Sequence, residues 1–396
     1  MLKEFKKLKV FVGLSGGVDS SVAAYLLKRE GFDVVGVHLR CWNRNGCSAG
    51  EAEDARRVAE RLGIPFYVLD LEREYKEKVV DYMIKGYASG FTPNPDVMCN
   101  KEIKFGLFLK KALEMGADYI ATGHYVISSN RPSPKLPLGR PASDLAVFRR
   151  SLPSTQSVEC SDHARSLLGT RYGNGRLLYE LYTARDINKD QSYFLWTLTQ
   201  EQLRYCLFPI GDYLKSEVRA IAKKAGLLTA DKKDSQGLCF VGKVTLKDFL
   251  GEYLPPSRGL VLDTAGNVLG EHNGTHFYTI GQRHGLGVAG RSPYYVSHKN
   301  AEKNIVVLAA GNSNPALYKS KISLSSVNLV AGYLPELPCR VLSRVRYRQP
   351  LHKTTLEQNK DGYQLVFEKP QKFVAAGQSA VLYSGHGLML GGGVIV

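Results

Sequence analysis

Leu14-Ser15-Gly16-Gly17-Val18-Asp19-Ser20-Ser21 follows the apolar run Val10-Phe11-Val12 and leads into a stretch with helical periodicity. Two adjacent glycines let successive backbone N–H groups turn into one concavity, and a helix beginning near Asp19 adds the positive end of its dipole. The hydroxyls of Ser15, Ser20 and Ser21 are further donors. The loop is therefore suited to a phosphate chain. It is not a loop of the GxxxxGK[ST] type, which needs a lysine to reach the terminal phosphates, because this one contains none.

Working outward, KVFVGL (9–14), DVVGVHL (33–39), PFYVLDL (65–71) and DYIATGH (118–124) are short and apolar, as buried parallel strands are. Stretches near 19–30, 50–63, 72–89 and 101–115 read as the helices that cross between them. The pattern predicts an α/β doubly wound nucleotide-binding domain. In such sheets ligands gather at the carboxyl ends of the strands, here the loops after Leu14, Leu39 and Thr122.

Residues 129–178 interrupt this order with five prolines, eight serines and eight Arg+Lys against three Asp+Glu. We read them as a largely disordered insertion, either a dispensable one or a basic arm for RNA. Helical patterns resume at 190–203 and 214–226. From about 245 glycine punctuation and short extended runs predict a small central β-rich module, and alternation over 339–350, 354–370 and 380–396 with an NKDG turn predicts a C-terminal β-barrel. The predicted domains are 1–244, 245–316 and 317–396.

The 396 residues are 44% hydrophobic and 23% charged, which excludes a wholly disordered or fibrous chain. No 18-residue apolar run and no secretory signal is present, so a cytoplasmic protein without a membrane partner is expected. An excess of 53 Lys+Arg over 37 Asp+Glu gives a net charge of +16, a field that gathers polyanions such as nucleic acid but that a solvated basic surface also explains. Seven scattered cysteines do not form a disulfide framework. Cys41 and Cys47, with His38 near, are too loose a set to define a zinc site, and the metal content stays unassigned.

Further motifs occur in order along the chain: TPNPDVMCNKEIKF (92–105), ATGHY (121–125), KDQSYFL (189–195), DSQGLCFVG (234–242), YTIGQRHGLG (278–287) and VRYRQ (345–349). Together with SGGVDSS they resemble the tRNA-specific 2-thiouridylases, members of the N-type ATP pyrophosphatases that cleave ATP between its α and β phosphates. The resemblance covers nearly the whole chain outside 129–178. It implies an ATP site at Gly13, Leu14, Ser15, Gly16, Gly17, Val18, Asp19, Ser20, Leu39 and Gly123. By the same resemblance the target base meets Asn94, Pro95 and Asp96, and tRNA meets Lys189, Asp190, Gln191, Arg346 and Tyr347. Cys99 would be the nucleophile and Cys239 the persulfide carrier, left joined as a disulfide after turnover. ATP, Mg²⁺ bound with the nucleotide, tRNA and a sulfur-donor protein, a cysteine desulfurase or relay carrier, are the implied cofactors and partners. Two features depart from the family pattern: Trp42-Asn43-Arg44-Asn45-Gly46-Cys47 lacks the usual acidic residues after the tryptophan, and the 129–178 segment is additional.

Elementary chemistry fits this implied role. Oxide is a poor leaving group, so exchanging a carbonyl oxygen for sulfur requires activation, and adenylation makes AMP the leaving group. A persulfide then needs a second thiol to accept the residual bond. Read alone, Cys99 and Cys239 are equally compatible with packing. Cys99 before Asn100-Lys101 reads as a thiol at a helix start, and Cys239 in Gly237-Leu238-Cys239-Phe240 as one on a movable loop. His124 reads as a packed histidine, and Lys189-Asp190 as compatible with an exposed ion pair. The alternation of Arg344, Arg346 and Arg348 predicts one shared strand face. Two rivals remain at this stage: an adenylating RNA-modifying ligase or amidotransferase that would not need the two cysteines, and a non-catalytic RNA-binding protein.

Overall fold

A computed structural model describes residues 7–41, 47–130, 132, 178–233, 245–333, 336–360 and 362–396. Most of the segment 129–178 and all of the motif around Cys239 lie outside them, as do residues 42–46, so expectations about those stretches rest on sequence.

Five parallel strands form the first sheet: β1 (Lys9–Gly13), β2 (Asp33–Arg40), β3 (Phe66–Asp70), β4 (Tyr119–Ala121) and β7 (Cys206–Leu207), in the order β3-β2-β1-β4-β7, while β5 (Ile127–Ser128) and β6 (Leu181–Tyr182) form a separate antiparallel pair. The chain winds one way from β1 to β3 and the other way through β4, so the loop after β1 opens at the reversal point. Alternation along β1 divides the core. Val10 and Val12 pack with α1 (Val18–Glu30), α2 (Cys47–Leu62) and the helix Lys215–Lys224, whereas Phe11 faces Phe105, Phe108 and Ile120 on the other side. Phe108 is wholly buried, and truncating it to alanine would cost about 3–5 kcal/mol.

The helix expected at 101–115 runs instead from 95 to 114, because Asn94 caps it: its Oδ1 accepts from Val97 N at 3.2 Å, with Pro95 in the first turn. Cys99 thus lies past the helix start rather than at it. From Cys99 to Phe108 the helix is π-wound, a form concentrated at functional sites. The helix expected over 190–203 is also replaced. A turn at Ser192–Phe194 and a short helix at Gln200–Leu203 stand there, because the Asp190 carboxylate takes the N–H groups of Ala184 and Ser192 and the following aromatics turn toward the last domain.

The central module packs the helix Leu246–Gly251 against the first domain and forms a four-stranded sheet from β8 (Gly259–Asp263), β9 (Val268–His272), β10 (Tyr294–Asn300) and β11 (Ile305–Ala310). The YTIGQRHGLG stretch forms turns between β9 and β10. The chain ends in a closed six-stranded barrel of β12 (Tyr318–Asn328), β13 (Cys339–Arg344), β14 (His352–Asn359), β15 (Gly362–Lys372), β16 (Ser379–Tyr383) and β17 (Met389–Ile395). Asn359 pairs with Gly362 across the hairpin that NKDG predicts. Among the described residues no helix is long and apolar enough to cross a membrane.

Candidate functional site

The loop after β1 folds around its own serines. Ser15 N donates to Ser20 Oγ at 3.2 Å, while the Ser20 and Ser21 hydroxyls donate to Gly17 O at 3.2 and 2.7 Å. Gly17 is the N-cap of α1 and offers no capping side chain, which leaves first-turn N–H groups to an external acceptor. Gly16 adopts φ 72°, and a Cβ there would lie 2.5 Å from Glu51 O. A Cβ on Gly123 would lie 2.6 Å from Ser20 N, so only glycine lets the end of β4 approach the start of α1.

The cations missing from the loop come from far along the chain. Lys215 Nζ stands 2.7 and 2.9 Å from the two oxygens of Asp19, and Tyr125 donates its hydroxyl to the same carboxylate at 2.8 Å. Lys232 Nζ donates to Gly16 O at 3.1 Å and to Asp54 at 2.6 Å. Burial is the main cause that raises the Glu51 pKa, with Lys232 opposing. No sequence motif marks these lysines. The one usable signal was the lack of a lysine in the loop itself.

His38, whose pKa burial lowers, donates from Nδ1 to Leu14 O at 3.0 Å. Among the described residues no cluster of three His, Cys, Asp or Glu side chains is placed to hold a metal. Leu39 and Cys41, at the end of β2, pack against the same apolar cluster as Met98 and Cys99. This brings Leu39 and Cys99, two positions predicted for different steps, to one end of the sheet. Asn94 is buried, and Asp96, with its pKa raised by burial and opposed by Lys104, stands one helical turn before Cys99. His124 is buried and shares a 2.7 Å bond with the Thr122 hydroxyl, and burial with Lys104 nearby holds its pKa well below the usual value. Cys41, Cys99, Cys206 and Cys339 form no disulfide, while Cys239 lies outside the described residues.

The residues expected to meet tRNA differ in character. Lys189 and Tyr347 are half-buried, and Tyr347 lies 4.4 Å from the Phe194 ring. Gln191 is clamped to the backbone of Tyr125, accepting from its N–H at 3.0 Å and donating to its carbonyl at 2.9 Å. Asp190 is not in an exposed pair with Lys189. It bonds Arg344 at 3.0 Å across the domain junction, with side chains 1% and 4% exposed. The three alternating arginines do not share a face, because β13 ends at Arg344: that residue is buried, Arg346 is half-buried, and Arg348 is exposed on a turn with φ 65°.

Comparison with known proteins decides the family. A model described as the tRNA methyl transferase HUP domain matches residues 8–145 and 161–243. Models for the tRNA methyl transferase PRC-barrel domain and the aminomethyltransferase β-barrel domain match 247–310 and 319–395. The tRNA-specific 2-thiouridylase MnmA 2 of Geobacillus kaustophilus is 42% identical over 402 residues, covering 100% of this chain and 96% of its own. The chain belongs to the tRNA-specific 2-thiouridylase family. Its relatives include the MnmA of Bacillus licheniformis, 43% identical over 406 residues with 100% and 96% covered. The MnmA of Christiangramia forsetii is 39% identical over 433 residues, with 98% and 99% covered. The family's order of nucleotide-binding domain, central module and barrel is the order built here.

Proposed function

We propose that this protein is an ATP-dependent sulfurtransferase that thiolates position 2 of the wobble uridine of tRNA. The observation that carries this reading is the phosphate loop with Lys215 and Lys232 drawn to it, at the same end of the sheet as Leu39 and Cys99. The description of the matching domain models names methyl transfer, whereas the full-length relatives are named thiouridylases. A serine- and glycine-lined helix start flanked by lysines suits a polyphosphate, which favours the thiouridylase reading.

In this mechanism Gly13 through Ser20 and Gly123 cradle the triphosphate, and Leu39 packs near the nucleotide. The uracil 2-oxygen attacks the α-phosphorus, the α–β bridging bond breaks, and pyrophosphate leaves. Lys215 and Lys232 stabilise the charge that develops on it. Asp19, one-third exposed and bonded to Lys215, is the carboxylate available to Mg²⁺ accompanying the nucleotide. That ion would neutralise phosphate charge.

Asn94, Pro95 and Asp96 position the base. The terminal sulfur of a Cys239 persulfide, loaded by a sulfur-donor protein, adds to C2, and AMP departs with the former oxygen. The Cys99 thiolate attacks the Cys239 sulfur, releases thiouridine and leaves a Cys99–Cys239 disulfide that a dithiol reductant opens. Lys189, Arg346 and Tyr347 meet the tRNA.

Assaying pyrophosphate and thiouridine separately tests the scheme. Cys239→Ala is predicted to retain tRNA-dependent pyrophosphate release but make no thiouridine, and Ser15→Ala to lose both. Thiolation by Cys239→Ala with a protein persulfide donor would refute the assignment.

A further inference from the structure

The strap 190–194 bonds to Tyr125 beside the phosphate loop, to the helix that carries Cys99 and to the barrel. Gln191 holds the backbone of Tyr125, whose hydroxyl bonds Asp19 of the phosphate loop. Asp190 Oδ2 accepts from Arg344 Nη1 at 3.0 Å, two residues before Arg346 and three before Tyr347. Ser192 Oγ lies 2.9 Å from the barrel's Tyr383 hydroxyl, and Tyr193 donates to Ser379 O at 3.0 Å. The Phe194 ring packs on Tyr347 at a 48° tilt, and the Phe194 carbonyl accepts from Asn100, the neighbour of Cys99, at 3.4 Å.

We propose that Asp190 and Arg344 form an interdomain latch that, through Gln191 and Tyr125, couples occupancy of the phosphate loop to the placement of the barrel's Arg346–Tyr347 turn on tRNA. The proposal rests on the reading above that the loop takes ATP and the turn meets tRNA. The Asp190 side chain is already engaged within the protein: its oxygens are bonded to Ala184 N, Ser192 N, Ser192 Oγ and Arg344, and it is 1% exposed. Stability alone is a poor reason for the pair, because replacing a buried ion pair with apolar side chains is often neutral or stabilising. Arg344 Nε is also buried without a partner among the described residues, a further cost of placing a guanidinium there.

What the pair supplies is a fixed pose. An incoming triphosphate competes with Asp19 for Lys215, and any shift of Asp19 moves the Tyr125 hydroxyl bonded to it. Tyr125 N–H donates to Gln191 Oε1 and Tyr125 O accepts from Gln191 N–H; these two bonds carry that displacement into Gln191, and the adjacent Asp190 carries it across the junction to the end of β13. Coupling of this kind is reciprocal, so tRNA must tighten nucleotide binding by the factor with which the nucleotide tightens tRNA binding.

The test measures Kd for α,β-methylene ATP, which cannot be cleaved, with and without saturating tRNA. In the parent enzyme tRNA is predicted to tighten the analogue roughly 10-fold, within the usual range for coupled sites. In Asp190→Asn/Arg344→Met, which removes both charges together, the ratio of the two constants falls to about one, whatever their absolute values. Tyr125→Phe removes the hydroxyl that bonds Asp19, the first step of the link, and leaves the buried charges in place. It is predicted to lose the same ratio, and it decides the matter alone if the double variant does not fold. A parent ratio near one, or a full ratio in Tyr125→Phe, overturns the latch. A parent enzyme that binds neither ligand overturns the functional reading, and the latch with it.

Discussion

Replacing Gly123 with alanine places a methyl group 2.6 Å from Ser20 N, 2.7 Å from the carbonyl carbon of Asp19 and 2.9 Å from Ser20 Cα. All three are backbone atoms in the first turn of α1, so no side chain can rotate aside. Ordinary contact begins at 3.4 Å, and the end of β4 and the start of α1 must therefore separate by roughly 0.8 Å. Overpacking of this kind costs about 1–3 kcal/mol of stability. The larger effect falls on chemistry, since a misplacement near 1 Å costs about 100-fold in rate when reacting groups must be aligned. Gly123→Ala is thus predicted to fold with a lowered Tm and to release pyrophosphate about 100-fold more slowly. Gly50→Ala is the control: nothing lies within 4 Å of its added methyl, and the exchange should be neutral or slightly stabilising in a helix. Wild-type pyrophosphate release and Tm in Gly123→Ala would refute the packing argument.

Three further outcomes follow from the same geometry. Lys232→Met removes the ammonium held beside Gly16 and should raise the Kd for ATP about 10-fold by titration, as expected for a lost charged hydrogen bond; an unchanged Kd would make Lys232 only a strut for the loop. Arg346→Ala should weaken tRNA binding and make the log Kd against log salt slope shallower by about one unit, and an unchanged slope would remove Arg346 from the phosphate contacts. His124 is buried as the neutral imidazole, so below pH 6.5 the unfolded chain binds the extra proton and stability falls as pH falls. His124→Gln should flatten the decline of Tm from pH 6.5 downward, whereas parallel curves for the two proteins would contradict this.

What the sequence reveals is what depends on local pattern. The strands of the first sheet, the serine-glycine loop and the NKDG hairpin are legible because apolar runs and turn residues act over a few positions. Lys215 and Lys232 are not legible, since the fold alone carries them across roughly 200 residues to Asp19 and Gly16. The 190–203 stretch has a helical pattern, yet Asp190 spends its carboxylate on backbone N–H groups and on Arg344, and tertiary bonds override propensity. The strand Tyr318–Asn328 escapes a pattern reading because its first four side chains are exposed before alternation sets in. The early start of the helix that carries Cys99 is legible in the sequence, since Asn94-Pro95 is a cap followed by a first-turn proline.

The central claim is that this chain places sulfur on a tRNA uridine at the expense of ATP. Its most direct test is mass spectrometry of nucleosides from tRNA incubated with the full-length protein, ATP, Mg²⁺, a persulfide-delivering protein and a dithiol reductant. The account predicts 2-thiouridine at the wobble position, dependent on ATP and absent with Cys99→Ala. A tRNA left unmodified under these conditions, or one carrying an added methyl group in place of sulfur, would contradict it.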